Sequence, residues 1–538
     1  MSPSAISMGS TSLNPESQQA TSIGDLPNEL LVQIFESVPV DYVQRCKTFP
    51  AIARVNRHFH SIITPLLYRD FEDCCAKHLQ LFGRTVLSNK GCAELVKHYE
   101  GRRDALVFNS TKHGCPMVWN DFILHQPLEE AVLEQLPDLP KPITRAVFSH
   151  ALACALPCLQ KLDVSNGGNQ LMRHLTNIRP HENALFQQLR TLSIATEPDR
   201  TYRLHSVSLL FTLPSLRTLV IDMAALNDEE LEDAGSVEAL WQCDPQSSTV
   251  QELTLERCGL PAQWIVSMIE SCRSLRTFFL EHYYWDTSAQ YYLHIVGALT
   301  QHRDTLSDIR MNALNGCRVS SSSQKDPPHP ISFRDFTSLT HLDIPLFIFA
   351  TRTQHCSIDN LLPCSIQVLT VDLRSTREGF SDDFFISMAE AAPHCLPMMH
   401  SVEILSRIEE YQESGSLPLH FCHLRRMFND FGIELVYFLE FVNCEFKAGN
   451  VSPSRLLHTP DTFVAYMKLL LKNLRLSGPD GCEMANRSSL EAGCLEKDDN
   501  SFTTISCGNR SDAAQRAQRN WGYMKPWTGR SEYDLMTS

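Results

Sequence analysis

His58 and His60, in the string HFH, come closest in this chain to a local metal pair. On a helix, side chains two positions apart point to different faces, so one ion cannot reach both rings. Cys74 and Cys75 stand near His78, a nucleophile and a base by residue type. Nothing else in that segment would stabilise a thiolate, and an unassisted thiol is a poor nucleophile. Cys154 and Cys158, on either side of Pro157, read as packing residues. The chain has no G-x-x-x-x-G-K-S/T phosphate loop, no G-x-G-x-x-G between a strand and a helix, no H-E-x-x-H and no G-x-S-x-G elbow. The expectation is a protein that is not an enzyme, with no catalytic residue, metal or cofactor.

Binding chemistry is better represented. HYYWDTSAQYY, from His282, brings together Tyr283, Tyr284, Trp285, Tyr291 and Tyr292. Aromatic residues are enriched in protein-binding hot spots. Tyr283, Tyr284 and Trp285 are therefore candidates for target contact, while Tyr292 is expected to fill a gap in the core. A second set is acidic: Asp163, Asp222, Glu256, Glu281, Asp343, Asp372 and Glu403.

One internal repeat positions both sets. The phrase L-x-x-L-x-I/V/L runs as LQKLDV from Leu159, LRTLSI from Leu189, LRTLVI from Leu216, VQELTL from Val250 and LRTFFL from Leu275. It continues as LTHLDI from Leu339 and IQVLTV from Ile366, with weaker copies from Leu306 and Met399. Successive starts are 30, 27, 34, 25, 31, 33, 27 and 33 residues apart. This drifting period is the signature of a leucine-rich-repeat solenoid, an α/β horseshoe in which each repeat gives one strand and one helix. Only the end of each phrase is a strand, and alternation points its anchors inward and the intervening residues outward. The seven acids occupy those outward positions, where Arg310 is the only basic residue. Such a strip would attract a basic segment of a protein partner. Segments 226–241, 261–272 and 288–302 have apolar spacing near that of a helix, and GIELVYF at 432–438 reads as a further strand.

Composition agrees. Of 538 residues, 43% are hydrophobic and 20% charged, ample for a large core. A net charge of -15 argues against nucleic acid held by phosphate contacts. No apolar run approaches the ~18 residues of a membrane span, and the N-terminus lacks the basic start and apolar stretch of a secretory signal. The 19 cysteines include no CxxC pair and suit reduced thiols in a cytoplasmic or nuclear protein.

Ahead of the repeats, residues 25–71 hold two apolar stripes. Leu26, Leu30, Leu31, Ile34, Phe35 and Val38 form the first, with Asp25 as N-cap and Pro27 in the first turn. Phe49, Ile52, Val55, Phe59, Ile62 and Ile63 form the second. So short a unit has more apolar surface than it can bury alone. LPNELLVQIFESV followed by VNRHFHSIITPLLYRDF resembles the F-box, the helical module that binds the Skp-type linker of cullin-RING ubiquitin ligases. With the repeats, the chain resembles the fungal-type F-box proteins with leucine-rich repeats. The resemblance implies a substrate adaptor of an SCF-type ligase, with Leu26, Pro27, Leu30, Ile34, Phe35, Val55 and Phe59 at the linker interface. Leu30 and Ile34 fit equally well as closure of the small core. The alternative is a repeat scaffold that binds partners and has no ligase role.

The expected organisation is a disordered tail over 1–22, the F-box over 23–71 and a helical connector or irregular first repeats over 72–158. The solenoid follows over 159–476, with a Ser/Pro loop at 318–332, and a disordered tail covers 477–538.

Overall fold

The computed structural model describes residues 23–37, 42–73, 76–101, 145–164, 186–195, 204–222, 241–282, 289–313, 331–349, 357–373, 383–408, 421–441 and 502–505. They form an α/β structure built on one open, mostly parallel sheet.

The described strands are β1 (Asp70–Glu72), β2 (His98–Gly101), β3 (Lys161–Val164), β4 (Thr191–Ala195), β5 (Thr218–Asp222), β6 (Glu252–Cys258) and β7 (Thr277–His282). They continue as β8 (Asp308–Ala313), β9 (His341–Pro345), β10 (Val368–Asp372), β11 (Ser401–Ile408), β12 (Glu434–Phe441) and β13 (Phe502–Ile505). Their order in the sheet is their order in the chain. Each of β1 to β11 pairs in parallel with the next, and β13 runs antiparallel to β12.

Each of the nine sequence phrases yields one strand, beginning two residues after its first anchor. The anchors explain why. Leu216, Leu219 and Ile221 are fully buried, and so are Val250, Leu253 and Leu255 in the next repeat. Anchors stack on their equivalents, giving one continuous core along the array. Helices cover the other side where described. Ala262–Ser271 buries Trp264, Ile265, Met268 and Ile269, and Ala289–Leu299 buries Tyr292, Ile295, Val296 and Leu299. That is the helical spacing expected for 261–272 and 288–302. The expected helix at 226–241 and the Ser/Pro loop at 318–332 lie outside the described residues, apart from Trp241, Ile331 and Ser332.

A hydroxyl ladder runs beside the strands. Thr249 donates to the Leu216 carbonyl at 2.8 Å, Thr305 to Leu275 at 2.7 Å, and Ser365 to Leu339 at 2.8 Å. Each hydroxyl immediately precedes its repeat's first anchor, so it can supply a turn carbonyl of the preceding repeat with a donor.

Two expectations need correcting. The sheet begins at Asp70 and runs on into 72–158, the span read as a helical connector or irregular first repeats, with Phe71 and Tyr99 buried where leucine anchors would stand. An aromatic side chain fills the same layer, and Phe71 stacks on Phe82 at 3.7 Å. Residues 70–71 thus belong to β1 and not to the helical unit. The C-terminal tail, expected to be disordered throughout, contributes β13, whose Thr- and Ile-containing backbone pairs with the edge of β12.

The N-terminal helices are α1 (Asn28–Ser37), α2 (Tyr42–Ala53) and α3 (Arg57–Arg69). Asp25, expected as N-cap, lies in a separate turn at Ile23–Asp25, and the Pro27 carbonyl accepts the first helical amides from Leu30 and Leu31. The second stripe is divided at Asn56, whose side chain caps α3 by accepting the Phe59 amide at 2.8 Å. Leu31, Phe35, Phe49, Phe59, Ile62, Ile63 and Leu66 form a core separate from that of the sheet. Helices α4 (Ala76–Ser88) and α5 (Lys90–Leu95) then lead to β2. No helix among the described residues is long and apolar enough to cross a membrane.

Candidate functional site

The first helix divides its apolar residues between two faces. Leu31 and Phe35 point into the small core, where Phe35 meets Phe59 edge to face at 6.0 Å. Leu30 remains 44% exposed and Ile34 37%, and Pro27 at the start of the helix is also exposed. Positions 27, 30 and 34 share one face of a helix, so this exposure forms a stripe. Val55, in the turn before α3, is 65% exposed, and Leu26 is half-buried against the core. Of the residues implied in linker binding, Pro27, Leu30, Ile34 and Val55 therefore lie at the surface. Phe35 and Phe59 are core residues. Ile23, also exposed, was not among the candidates.

The acidic positions differ from the solvated strip that alternation suggests. Asp222, Glu281 and Asp372 are buried, while Asp163, Glu256, Asp343 and Glu403 are half-buried. Arg257 stands among them, its guanidinium paired with both carboxylate oxygens of Asp222. Burial alone would lower the Arg257 pKa. The bonds to Asp222 and the charges of Asp222, Glu256 and Glu281 raise it instead.

Strict alternation continued past Glu256 would turn Arg257 to the core side. Between Leu255 and Cys258 the register of β6 on β7 shifts, so that Glu256 and Arg257 together face Glu281. Arg257 accommodates the extra residue with φ at +48°, a backbone region unusual for a side chain of this size. No signal in the local sequence marks this bulge.

Arg310 plays a similar part further along. It donates to both carboxylate oxygens of Asp308, at 2.9 and 2.7 Å. Burial opposes its charge, but Asp308, Asp343 and Glu403 outweigh that and raise its pKa. Asn312 donates to Asp343 at 3.3 Å, and Thr370 donates to Glu403 at 3.0 Å. Two guanidinium groups thus offset much of the acidic tally.

Tyr283, Tyr284 and Trp285 lie outside the described residues. Tyr292 is buried, and the Tyr291 hydroxyl donates to the Leu260 carbonyl at 3.1 Å with its ring against His282. His58 and His60 are exposed on either side of the buried Phe59. Burial pushes the Cys154 thiol up to about 12, which keeps it protonated and unreactive. Among the described residues no three His, Cys, Asp or Glu side chains converge as metal ligands would.

A polar cluster that the sequence did not reveal centres on Asp70, where α3 ends. Arg45 of α2, Arg69 of α3 and His98 of β2 all reach its carboxylate. Three partners so distant in sequence, or so commonplace beside it, leave no recognisable spacing. No family model matches the chain, and no curated protein matches it.

Proposed function

We propose that the chain is a non-catalytic substrate-recognition adaptor of an SCF-type, cullin-RING ubiquitin ligase. In this reading residues 23–69 are an F-box that docks on a Skp-type linker, and the strand–helix array is a leucine-rich-repeat solenoid that holds the target protein. The observation that carries the reading is the stripe Pro27, Leu30 and Ile34, left exposed on a helix whose opposite face already fills a complete small core. Large apolar side chains held outward in this way suit a partner surface better than water. The half-buried Asp163, Glu256, Asp343 and Glu403 are the acids of this set that reach the surface, where a basic segment of the target would meet them.

The test is co-purification of the full chain with the Skp-type linker, comparing the natural chain with the Leu30→Asp/Ile34→Asp double variant. A charge forced into an apolar interface is strongly unfavourable, so linker capture should fall at least about tenfold while circular dichroism is unchanged. Phe35 is unsuitable for this comparison because its replacement damages the core. Failure of the natural chain to retain the linker would favour a repeat scaffold with no ligase role.

A further inference from the structure

The helical unit and the sheet have separate cores, and among the described residues the chain passes between them at Asp70. Among the described residues, Tyr42 and Tyr68 are the side chains of the helical unit that pack on the core of the sheet, and α3 also lies beside α5. Tyr42 of α2 meets Phe71 edge to face at 6.3 Å, and Tyr68 of α3 stacks on Phe82 at 6.5 Å. Burial of this surface is favourable but non-directional, and the geometric preference of ring pairs is worth only about 0.5–1.5 kcal/mol each. Hydrogen-bonded ion pairs have preferred directions and distances, so they resist rotation.

At this junction such pairs converge on one carboxylate. Oδ2 of Asp70 accepts from Arg45 Nη1 at 2.7 Å and from Arg69 Nε at 3.3 Å, and Oδ1 lies 2.6 Å from His98 Nδ1. Arg69 extends the cluster by donating to Glu36 near the end of α1. The Arg45 guanidinium also lies over the Tyr42 ring, 5.9 Å from its centre. All three helices and the second strand are thereby tied to one side chain. Burial would raise the Asp70 pKa, but the charges of Arg69, Arg45 and His98 hold it below the ordinary carboxylate range.

We infer that the Asp70 carboxylate is a positioning lock, which sets the angle between the exposed stripe of α1 and the parallel sheet. Without it both units keep their cores, but they pivot about the chain crossing at Asp70. The inference concerns the geometry of this chain alone and does not depend on any ligase partner. If the helical unit does dock on a linker, the same lock determines where a target on the sheet is held.

The experiment measures the distance distribution between two spin labels in the full chain, introduced as unnatural amino acids at the exposed Gln33 on α1 and Gln301 beyond β7. The natural chain should give one narrow distribution. Asp70→Asn keeps the shape and removes the charge, and should at least double the width while the thermal transition and helicity stay unchanged. Arg45→Met should broaden it less, because Arg69 and His98 still hold Asp70. Unchanged widths in both variants would overturn the inference. Broadening accompanied by lost helicity would overturn it too, since Asp70 would then be holding the helical unit together and not its angle.

Discussion

The helical unit and the sheet solve the same problem with different success. In the sheet, each repeat is covered by its neighbours, and anchors such as Leu219, Leu253 and Leu342 are almost completely buried. In the helical unit, the core holds seven buried side chains among the described residues, and Leu30, Ile34 and Val55 stay exposed. A stacked array adds one core layer with every repeat, whereas among the described residues the outer face of α1 meets no further element. Surplus apolar surface is therefore what distinguishes the helical unit from the sheet. The sheet, closed along its core, offers a polar face in which acids are already answered by arginines.

The largest expected effect tests that polar face. Arg257→Met removes a guanidinium from Asp222, and breaking a buried ion pair costs about 3–5 kcal/mol. Urea unfolding should show the loss, and a change near zero would mean that the bulge does not need the pair. The second test probes the two faces of α1. Phe35→Ala should cost about 3–5 kcal/mol through the cavity it leaves, while Leu30→Ala should stay within about 0.5 kcal/mol. Equal costs would place Leu30 in a core and erase the contrast.

A pH test separates the buried thiol of the sheet region from solvent-facing groups. The folded Cys154 titrates at about 12 against an ordinary 9.0, so the unfolded chain loses this proton first. Its contribution is fully present below about pH 9 and is lost as pH rises toward about 12. Between about pH 8 and about pH 10, the natural chain should lose roughly 1 kcal/mol more than Cys154→Ala. Identical losses would show that the thiol is hydrated in the folded protein. The smallest effect belongs to the ladder. Thr249→Val leaves the Leu216 carbonyl without its hydroxyl donor and should cost about 1 kcal/mol by urea unfolding. No cost would mean that water replaces the hydroxyl.

Much of this contrast was legible beforehand. The nine phrases predicted β3 to β11, because burial on one side of a strand enforces a period of two that leaves its mark in residue type. The extra strand after Gly432 was visible for the same reason. Strands β1 and β2 were not, since Phe71 and Tyr99 satisfy the anchor positions without matching the phrase. In the helical unit the apolar stripes were plain, but their broad spacing could not divide Leu30 and Ile34 from Leu31 and Phe35. Their partition depends on where α3 packs.

Local sequence thus determined what repeats locally: the phrase, its alternation, the apolar stripes of the helices, and the acidic count. Tertiary structure alone decided which charges meet. Arg257 reaches Asp222 only because a bulge in β6 reverses the side on which alternation would place it. Asp70 gathers Arg45 and His98 only because the helices fold back against β2. Periodicity is written by solvent and core on each side of one element, so a single segment carries it. An ion pair between distant segments depends on register and on packing angle, and neither segment records those by itself.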